Sequence, residues 1–383
     1  MVHPTDPKKR WDIFCRVIDN YGDIGVCWRL ACQLARRGQR VRLWVDETSA
    51  LSWMAPSGEP GVEVLVWSES TRVEAHPPGE ILVEAFGCEV DDRFIASYAN
   101  HLRTSGQKCV WINLEYLSAE AFVQRCHGLP SPVTYGPGKG LVKHFFYPGF
   151  TLGTGGLLRE PGLMERRAAF NRDAWLAQFD TGCTKEHQPN TSVRHPRVVS
   201  LFCYEPAMIG PMLDTLAQDN TPTQLLVTAG RSKVAVQNVI KSKNAIKPNW
   251  NNGNKLSISY LPLLSQADFE HLLWCCDLNF VRGEDSLVRA IWSGQPFVWQ
   301  IYPQDDAAHV PKLEAFIAWL GAPASLHQCM QAWNAPSPAG TATGFLPLKD
   351  LPEWQQCTQL ARARLLSQND LVSQLLDFVQ KTH

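Results

Sequence analysis

The chain has 383 residues, a length that allows two domains with separate cores. With 45% hydrophobic residues, 19% charged residues and a net charge of -1, it does not fit an intrinsically disordered protein, and it argues against a nucleic-acid binder, which needs a phosphate-neutralising surface. No apolar run approaches the roughly 20 residues of a membrane helix and residues 1–15 lack a signal core, so we expect a cytoplasmic protein with no membrane partner.

The first half of the chain alternates segments of strand and helix character. Strands are predicted for residues 11–18, 40–46, 61–67, 81–86 and 108–114. Helices are predicted for residues 25–39, 90–102 and 117–129, with Ser118 as the cap of the last one. Strands that alternate with helices indicate a parallel sheet covered on both faces.

Residues 180–196 are polar and rich in turn formers, and they separate the first half from a second one. Beyond this break, strands are predicted for residues 197–204, 221–230, 255–264, 279–282 and 295–302. Helices are predicted for residues 205–218, 231–242, 266–278, 283–294 and 351–381. Two α/β domains of similar size predict a cleft between the carboxyl ends of two parallel sheets. Such a fold suits a two-substrate transferase, but equally a sugar-binding protein or a dehydrogenase.

The twelve cysteines include no Cys-x-x-Cys pair, and most lie in apolar segments. Disulfide and zinc sites usually show regular spacing. We therefore predict buried, reduced thiols.

A first candidate site lies between the first strand and the first helix, at residues 19–25. Asp19 and Asp23 could converge there on one nucleophile, on a turn that glycine keeps open to a ligand. Helix capping explains the same residues without a function. A dinucleotide-binding loop fits poorly, because Gly22-x-x-Gly25 lacks the leading Gly-x-Gly.

A second candidate site, Arg282 to Ser286, follows a predicted strand and opens a helix. The free N–H groups of a helix N-terminus suit a phosphate, Gly283 permits close approach, and the Ser286 hydroxyl could add a donor. Glu284 and Asp285 would repel a diphosphate unless Glu284 turns toward a sugar or the reaction centre, with Arg282 balancing the charge. The plain alternative is that acidic residues in a first turn stabilise the helix dipole.

Two strand-end residues near the second site are candidate base contacts. Tyr204 could stack on a base, and Gln266 could hydrogen-bond its edge, although packing or capping accounts for each one alone. No Asp-x-Asp motif occurs, which fits a diphosphate stabilised without a metal ion. The P-loop, Gly-x-Ser-x-Gly and His-Glu-x-x-His motifs are also absent.

Several segments together resemble the bacterial elongation factor P arginine rhamnosyltransferases, the EarP family. The matching segments are residues 11–34, 43–47, 111–120, 126–132, 145–150, 154–160, 272–306 and 312–316. The resemblance implies an α/β fold of the GT-B glycosyltransferase type, with two Rossmann-like domains facing a central cleft. Residues 1–182, completed by helices in 355–383, would form the acceptor-side domain, and residues 183–354 would bind the nucleotide sugar.

The resemblance also implies the reaction. L-Rhamnose would pass from dTDP-β-L-rhamnose to an arginine of elongation factor P with inversion, and no metal or other cofactor would be needed. Asp23 would be the general base, Asp19 a second catalytic carboxylate that orients the acceptor, and Glu284 a glutamate needed for activity. The donor-binding positions would be Asn20, Tyr21, Gly22, Tyr204, Gln266, Arg282, Gly283, Glu284, Asp285 and Ser286.

Two further expectations follow from the resemblance. Leu263 stands where an aromatic wall of the thymine pocket is expected, so the base would be held there by aliphatic contact. Lys139, Lys143 and Arg159 are expected to help attract an acidic elongation factor P. The alternatives are a glycosyltransferase with another sugar nucleotide or acceptor, a nicotinamide oxidoreductase, and a non-catalytic sugar-binding protein.

Overall fold

The computed structural model describes residues 9–17, 21–68, 75–106, 109–179, 196–304, 307–337 and 344–382. Its strands are β1 (Arg10–Cys15), β2 (Arg40–Val45), β3 (Val62–Val66), β4 (Ile81–Ala85), β5 (Val110–Leu114), β6 (Pro130–Pro132), β7 (Val142–Phe146), β8 (Arg197–Leu201), β9 (Thr223–Val227), β10 (Leu256–Tyr260), β11 (Leu278–Arg282) and β12 (Phe297–Gln300). Its helices are α1 (Gly22–Arg36), α2 (Leu51–Met54), α3 (Asp92–Ser105), α4 (Ala121–Cys126), α5 (Leu163–Ala168), α6 (Arg172–Leu176), α7 (Ile209–Gln218), α8 (Arg231–Ile246), α9 (Gln266–Cys275), α10 (Gly283–Ser293), α11 (His309–Leu320), α12 (Ala324–Asn334), α13 (Leu351–Leu366) and α14 (Leu371–Thr382).

The chain divides into two compact units, and each has its own sheet. The first unit is Met1–Pro161 with Leu365–His383, and its strand order is β3-β2-β1-β4-β5-β7-β6. The second unit is Gly162–Arg364, and its order is β10-β9-β8-β11-β12. The strand pairs are parallel except for β6 against β7, which confirms the predicted parallel sheets. Both orders contain the 3-2-1-4-5 arrangement of Rossmann folds.

The first sheet has a hydrophobic core on each face, because successive side chains of a strand point to opposite sides. Ile13 and its neighbours on one face pack with α1 and with Leu375 of α14. Phe14 and Trp44 on the other face stack at 5.3 Å and pack with Phe94 of α3. Helices on both faces leave the carboxyl ends of the strands as the edge where loops can form a site.

The boundaries between the units differ from the predicted ones at 182/183 and 354/355. Residues 162–179 belong to the second unit, because Trp175 packs into the core of that unit and Arg172 forms a two-bond ion pair with Asp277 at 2.9 and 3.0 Å. Helix α13 also packs there, where Trp354 Nε1 donates to Ser325 Oγ at 2.9 Å. Only α14 completes the first unit, and Arg37 pairs with Asp370 at 2.8 Å, just before that helix.

The predicted cap at Ser118 is wrong. Helix α4 begins three residues later, at Ala121, and has no side-chain cap. The Ser118 hydroxyl instead accepts from the Glu120 N–H at 3.0 Å and donates to the Glu120 carboxylate at 2.9 Å. Ser118 therefore organises the loop before the helix.

The cysteines within the described ranges are all free, and most are buried, as predicted. Cys183 lies outside those ranges. Among the helices of the described residues, none has the length and apolar character that crossing a membrane requires.

Candidate active site

The turn between β1 and α1 places Asp23 in the first turn of α1. Its side chain is buried, and the Gly25 N–H donates to the Tyr21 carbonyl at 3.0 Å, which closes the turn. The positive end of the helix dipole favours a carboxylate at this position. Tyr21 precedes Gly22, the first residue of α1, and its exposed ring meets Trp53 edge-on at 5.0 Å. Asp19 and Asn20 lie outside the described residues.

Asp23 lies close to the buried thiol of Cys15 and to a second carboxylate, Asp46. A hydrogen bond with Cys27 and burial, with smaller contributions from the charges of Asp23 and Asp46, raise the pKa of the Cys15 thiol well above its ordinary value. Cys15 therefore stays an uncharged thiol at neutral pH. Asp46 follows β2 at the same edge of the sheet and accepts from the Val17 N–H at 3.0 Å. The charges of Asp23 and Asp46 thus both act close to the end of β1.

The turn from β11 into α10 depends on Gly283. Its φ angle is +65°, a conformation that a side chain would strain, and its carbonyl accepts from Trp299 Nε1 at 2.8 Å. Because of this turn the helix begins directly at the end of the strand. The first N–H groups of α10 thus lie at the carboxyl edge of the second sheet, where a phosphate can bind.

Ser286 makes two hydrogen bonds within the turn. Its buried hydroxyl accepts from the Arg282 N–H at 3.0 Å and donates to the Arg282 carbonyl. The single hydroxyl hydrogen is therefore used within the turn, and a phosphate would need another donor. Ser286 holds the backbone that presents the helix N-terminus.

The two acidic residues of α10 have cationic partners that sequence reasoning missed. Lys312 Nζ of α11 lies 2.6 Å from Glu284 Oε1. Arg289, one turn after Asp285, lies 3.8 Å from its carboxylate and 3.3 Å from Glu270. The spacing from Asp285 to Arg289 could have been read from the sequence. Lys312 is brought in by tertiary structure, although its segment was part of the family resemblance.

Arg282 and Tyr204 form one buried cluster. The Arg282 guanidinium lies 4.5 Å from the ring centres of Tyr204 and Phe202, and it donates to the Cys203 carbonyl at 2.9 Å. Arg231 lies on the Tyr204 ring at 5.0 Å, and the ring is only 2% exposed. The Tyr204 ring is therefore covered in this structure, and its stacking on a base stays a prediction. The ring instead holds Arg282 at the end of β11.

Gln266 is the first residue of α9 and is half-buried. The helix is capped by Ser265, whose hydroxyl accepts from the Asp268 N–H at 3.1 Å. Leu263, in the preceding loop, is 51% exposed. Ser265 therefore caps the helix, and Gln266 does not. Within the described ranges, no group of three or more His, Cys, Asp or Glu residues is arranged to hold a metal ion.

Comparisons with known proteins point to one family over almost the whole length of the chain. Residues 11–380 match the family model of the elongation factor P (EF-P) rhamnosyltransferase EarP. The protein-arginine rhamnosyltransferase of Pseudomonas putida is 41% identical over 98% of this chain and 100% of its own length. The Pseudomonas aeruginosa protein of the same name is 39% identical over 96% and 98%, respectively.

Solved structures show the same similarity. A structure that explains EarP-mediated arginine glycosylation of the translation elongation factor EF-P is 31% identical, with a TM-score of 0.60, and covers 98% of this chain and 100% of that one. A glycosyltransferase from Rickettsia africae is similar in fold alone, at 8% identity and a TM-score of 0.53 over 98% of this chain and 99% of that one.

Proposed function

The chain belongs to the EarP family of elongation factor P rhamnosyltransferases, and from this we propose that it transfers L-rhamnose from dTDP-β-L-rhamnose to an arginine of elongation factor P. The match of residues 11–380 to one family model carries the proposal. Membership in a glycosyltransferase family replaces the oxidoreductase and sugar-binding alternatives. We place the reaction in the cytoplasm, because the acceptor is a translation factor.

We infer an inverting displacement in which a guanidinium nitrogen attacks the anomeric carbon of rhamnose. The bond from that carbon to the diphosphate breaks, and its electron pair leaves on the diphosphate oxygen. Arginine has a pKa above about 12, so a carboxylate cannot deprotonate it before the reaction. Asp23 takes the proton as the carbon–nitrogen bond forms and the nitrogen becomes more acidic. Its buried place in the first turn of α1 supports this role, and Asp19 would orient the guanidinium.

The leaving diphosphate needs stabilisation of its charge more than protonation. The N–H groups at the start of α10 are suited to this, and the glycine turn held by Ser286 presents them. The pairing of Glu284 with Lys312 and of Asp285 with Arg289 supports the proposal, because it reduces their repulsion of an anion. Glu284 would then support the sugar in the transition state, and Tyr21, Gly22, Asn20, Tyr204, Gln266 and Arg282 would complete the donor site.

We propose that the reaction needs no divalent metal. Supporting this are the absence of Asp-x-Asp from the sequence and the helix N-terminus available for the diphosphate. Activity should persist in excess EDTA. A loss that Mg²⁺ or Mn²⁺ restores would contradict metal independence and leave the rhamnosyl transfer itself intact.

The function is tested by incubating the protein with elongation factor P and dTDP-β-L-rhamnose and measuring the acceptor by mass spectrometry. One deoxyhexosyl group on a single arginine is expected, and it should form at least roughly 10²-fold more slowly with Asp23→Asn. Parallel reactions with UDP-glucose and dTDP-glucose test the donor. Transfer from one of these but not from dTDP-rhamnose would show a different glycosyltransferase.

The acceptor is tested by comparing kcat/KM for free arginine, a loop peptide and the intact factor. The intact factor should be the best substrate, because binding energy from a protein surface can position the guanidinium. Equal efficiency for all three would exclude recognition of the protein surface.

A further inference from the structure

A carboxylate outside the sites described above lies at the carboxyl end of β5. Glu115 follows this strand directly, and its N–H donates to the Phe146 carbonyl at 3.0 Å. Its half-buried side chain accepts from Asn113 Nδ2 at 2.9 Å and from the Tyr116 N–H. No cationic side chain pairs with it among the residues that the structure describes. Glu115 is thus a partly desolvated anion that is held by neutral donors.

Among the described residues, the charged side chain that acts on Glu115 is Glu84, which is negative. Lys143 of the neighbouring strand β7 pairs with Glu84, because its Nζ lies 2.7 Å from Glu84 Oε2 and 4.6 Å from the centre of the Trp111 ring. Burial raises the pKa of Glu115 above its ordinary value, and the negative charge of Glu84 adds to this rise. Burial, with a smaller contribution from Glu115, also raises the pKa of Tyr147 to about 12. A carboxylate in these surroundings destabilises the fold when it is ionised.

A group that destabilises the fold and lies at the carboxyl edge of a parallel sheet is a candidate for binding. Tyr116, the next residue in the chain, is 37% exposed and stacks on Phe86 at 5.0 Å, so an aromatic pair follows Glu115 directly in the same loop. Carboxylates next to aromatic rings bind ammonium and guanidinium groups well, since both the charge and the ring face attract a cation.

We propose that Glu115 binds a cationic side chain of the protein acceptor, at a position flanking the target arginine. The proposal rests on the proposed function and names a second point of contact with the same acceptor. In the sheet, β4 alone separates β1 from β5, so the strand before Asp23 and the strand before Glu115 are about 10 Å apart. Side chains two residues apart in an extended loop are about 7 Å apart at their bases. A long basic side chain that flanks the target arginine can span the difference between these two distances.

The expected effect is on acceptor binding alone. Glu115→Gln keeps the shape of the side chain and an oxygen that can accept from Asn113, but it removes the negative charge. The KM for elongation factor P should therefore rise about tenfold. The KM for dTDP-rhamnose and the kcat at saturating acceptor should stay within about twofold, because Glu115 does not touch the reacting atoms. Glu120→Gln is the matched control, since Glu120 lies in the same segment and is held by Ser118.

A stability measurement separates binding from a structural role. The pKa of Glu115 is raised in the folded state, so its ionised form opposes folding at neutral pH, and this penalty vanishes below the unfolded pKa of about 4.3. Glu115→Gln should therefore raise the Tm at pH 7.5 while it weakens acceptor binding. A purely structural glutamate would give a lower Tm.

The partner is identified with acceptor variants in which each lysine or arginine flanking the target is changed to glutamine. For the true partner, Glu115→Gln should add no further loss, as a double-mutant cycle requires. An unchanged acceptor KM in Glu115→Gln, an equal rise in Glu120→Gln, or no coupling to any flanking cation would overturn the proposal. If the unaltered enzyme does not rhamnosylate elongation factor P, the proposed function itself fails.

Discussion

The first turns of α1 and α10 both carry carboxylates at the end of a parallel strand, but their surroundings differ. In α10, Glu284 and Asp285 each lie beside a cation, Lys312 or Arg289. In the first unit, Asp23 adds its charge to that of Asp46 near a neutral thiol, and Glu115 has neutral donors. The side chains packed around a helix start set its local potential, and in α10 two cations offset the two carboxylates. Under the proposed function, the first unit receives the cationic acceptor and the second the anionic donor.

The largest effect is expected from Asp23→Asn, which removes the proposed base from the first unit. Turnover should fall by at least roughly 10²-fold, whereas the Tm and the affinity for dTDP-rhamnose should change little. Asp92→Asn is a matched control, because Asp92 is an exposed aspartate in the first turn of α3 in the same unit. Near-normal turnover of Asp23→Asn would remove Asp23 from the mechanism.

Removing Lys312 tests whether this cation reduces the repulsion between Glu284 and the diphosphate. In Lys312→Met, Glu284 loses its partner at 2.6 Å, so the KM for dTDP-rhamnose should rise about tenfold through repulsion of the diphosphate. Adding Glu284→Gln should restore donor affinity but leave kcat low. If the donor KM of Lys312→Met is normal, neutralisation of Glu284 is unimportant for binding the donor.

Ser286→Ala distinguishes a phosphate ligand from a residue that holds the turn. The hydroxyl makes two hydrogen bonds to the Arg282 backbone, so its loss should lower the free energy of unfolding by about 1–2 kcal/mol. Thermal or urea unfolding measures this directly. Unchanged stability together with weaker donor binding would restore the role in phosphate binding that the sequence predicted.

The smallest effect is expected at the surface cations that were predicted to attract the acceptor. Lys143 pairs with Glu84, and Arg159 donates to the backbone carbonyls of Leu365, Leu366 and Gln368. Of the three, Lys139 is the exposed one with no contact of this kind in the described ranges. Lys139→Ala should lower kcat/KM by about twofold at low salt and not at raised salt, because an exposed charge mainly affects the association rate. Arg159→Ala should instead lower the Tm.

The parallel sheets, the two loops that hold carboxylates and most of the strands and helices could be read from the sequence, but β6, β7, α5, α6, α11 and α12 were not predicted. These features depend on local patterns: hydrophobic periodicity, glycine at sharp turns and acidic residues at helix starts. The family resemblance also named the candidate residues, of which Asp23 and Arg282–Ser286 lie at the expected strand ends.

Tertiary structure alone decided the partners of those residues. The pairing of Glu284 with Lys312, the covering of Tyr204 by two guanidinium groups, and the pairing of Lys143 with Glu84 all join segments that are far apart along the chain. The same is true of the unit boundaries, since Trp175 and α13 join the second unit through packing. Local patterns determine where a side chain leaves the backbone, but the charge and solvent around it depend on which distant elements pack there.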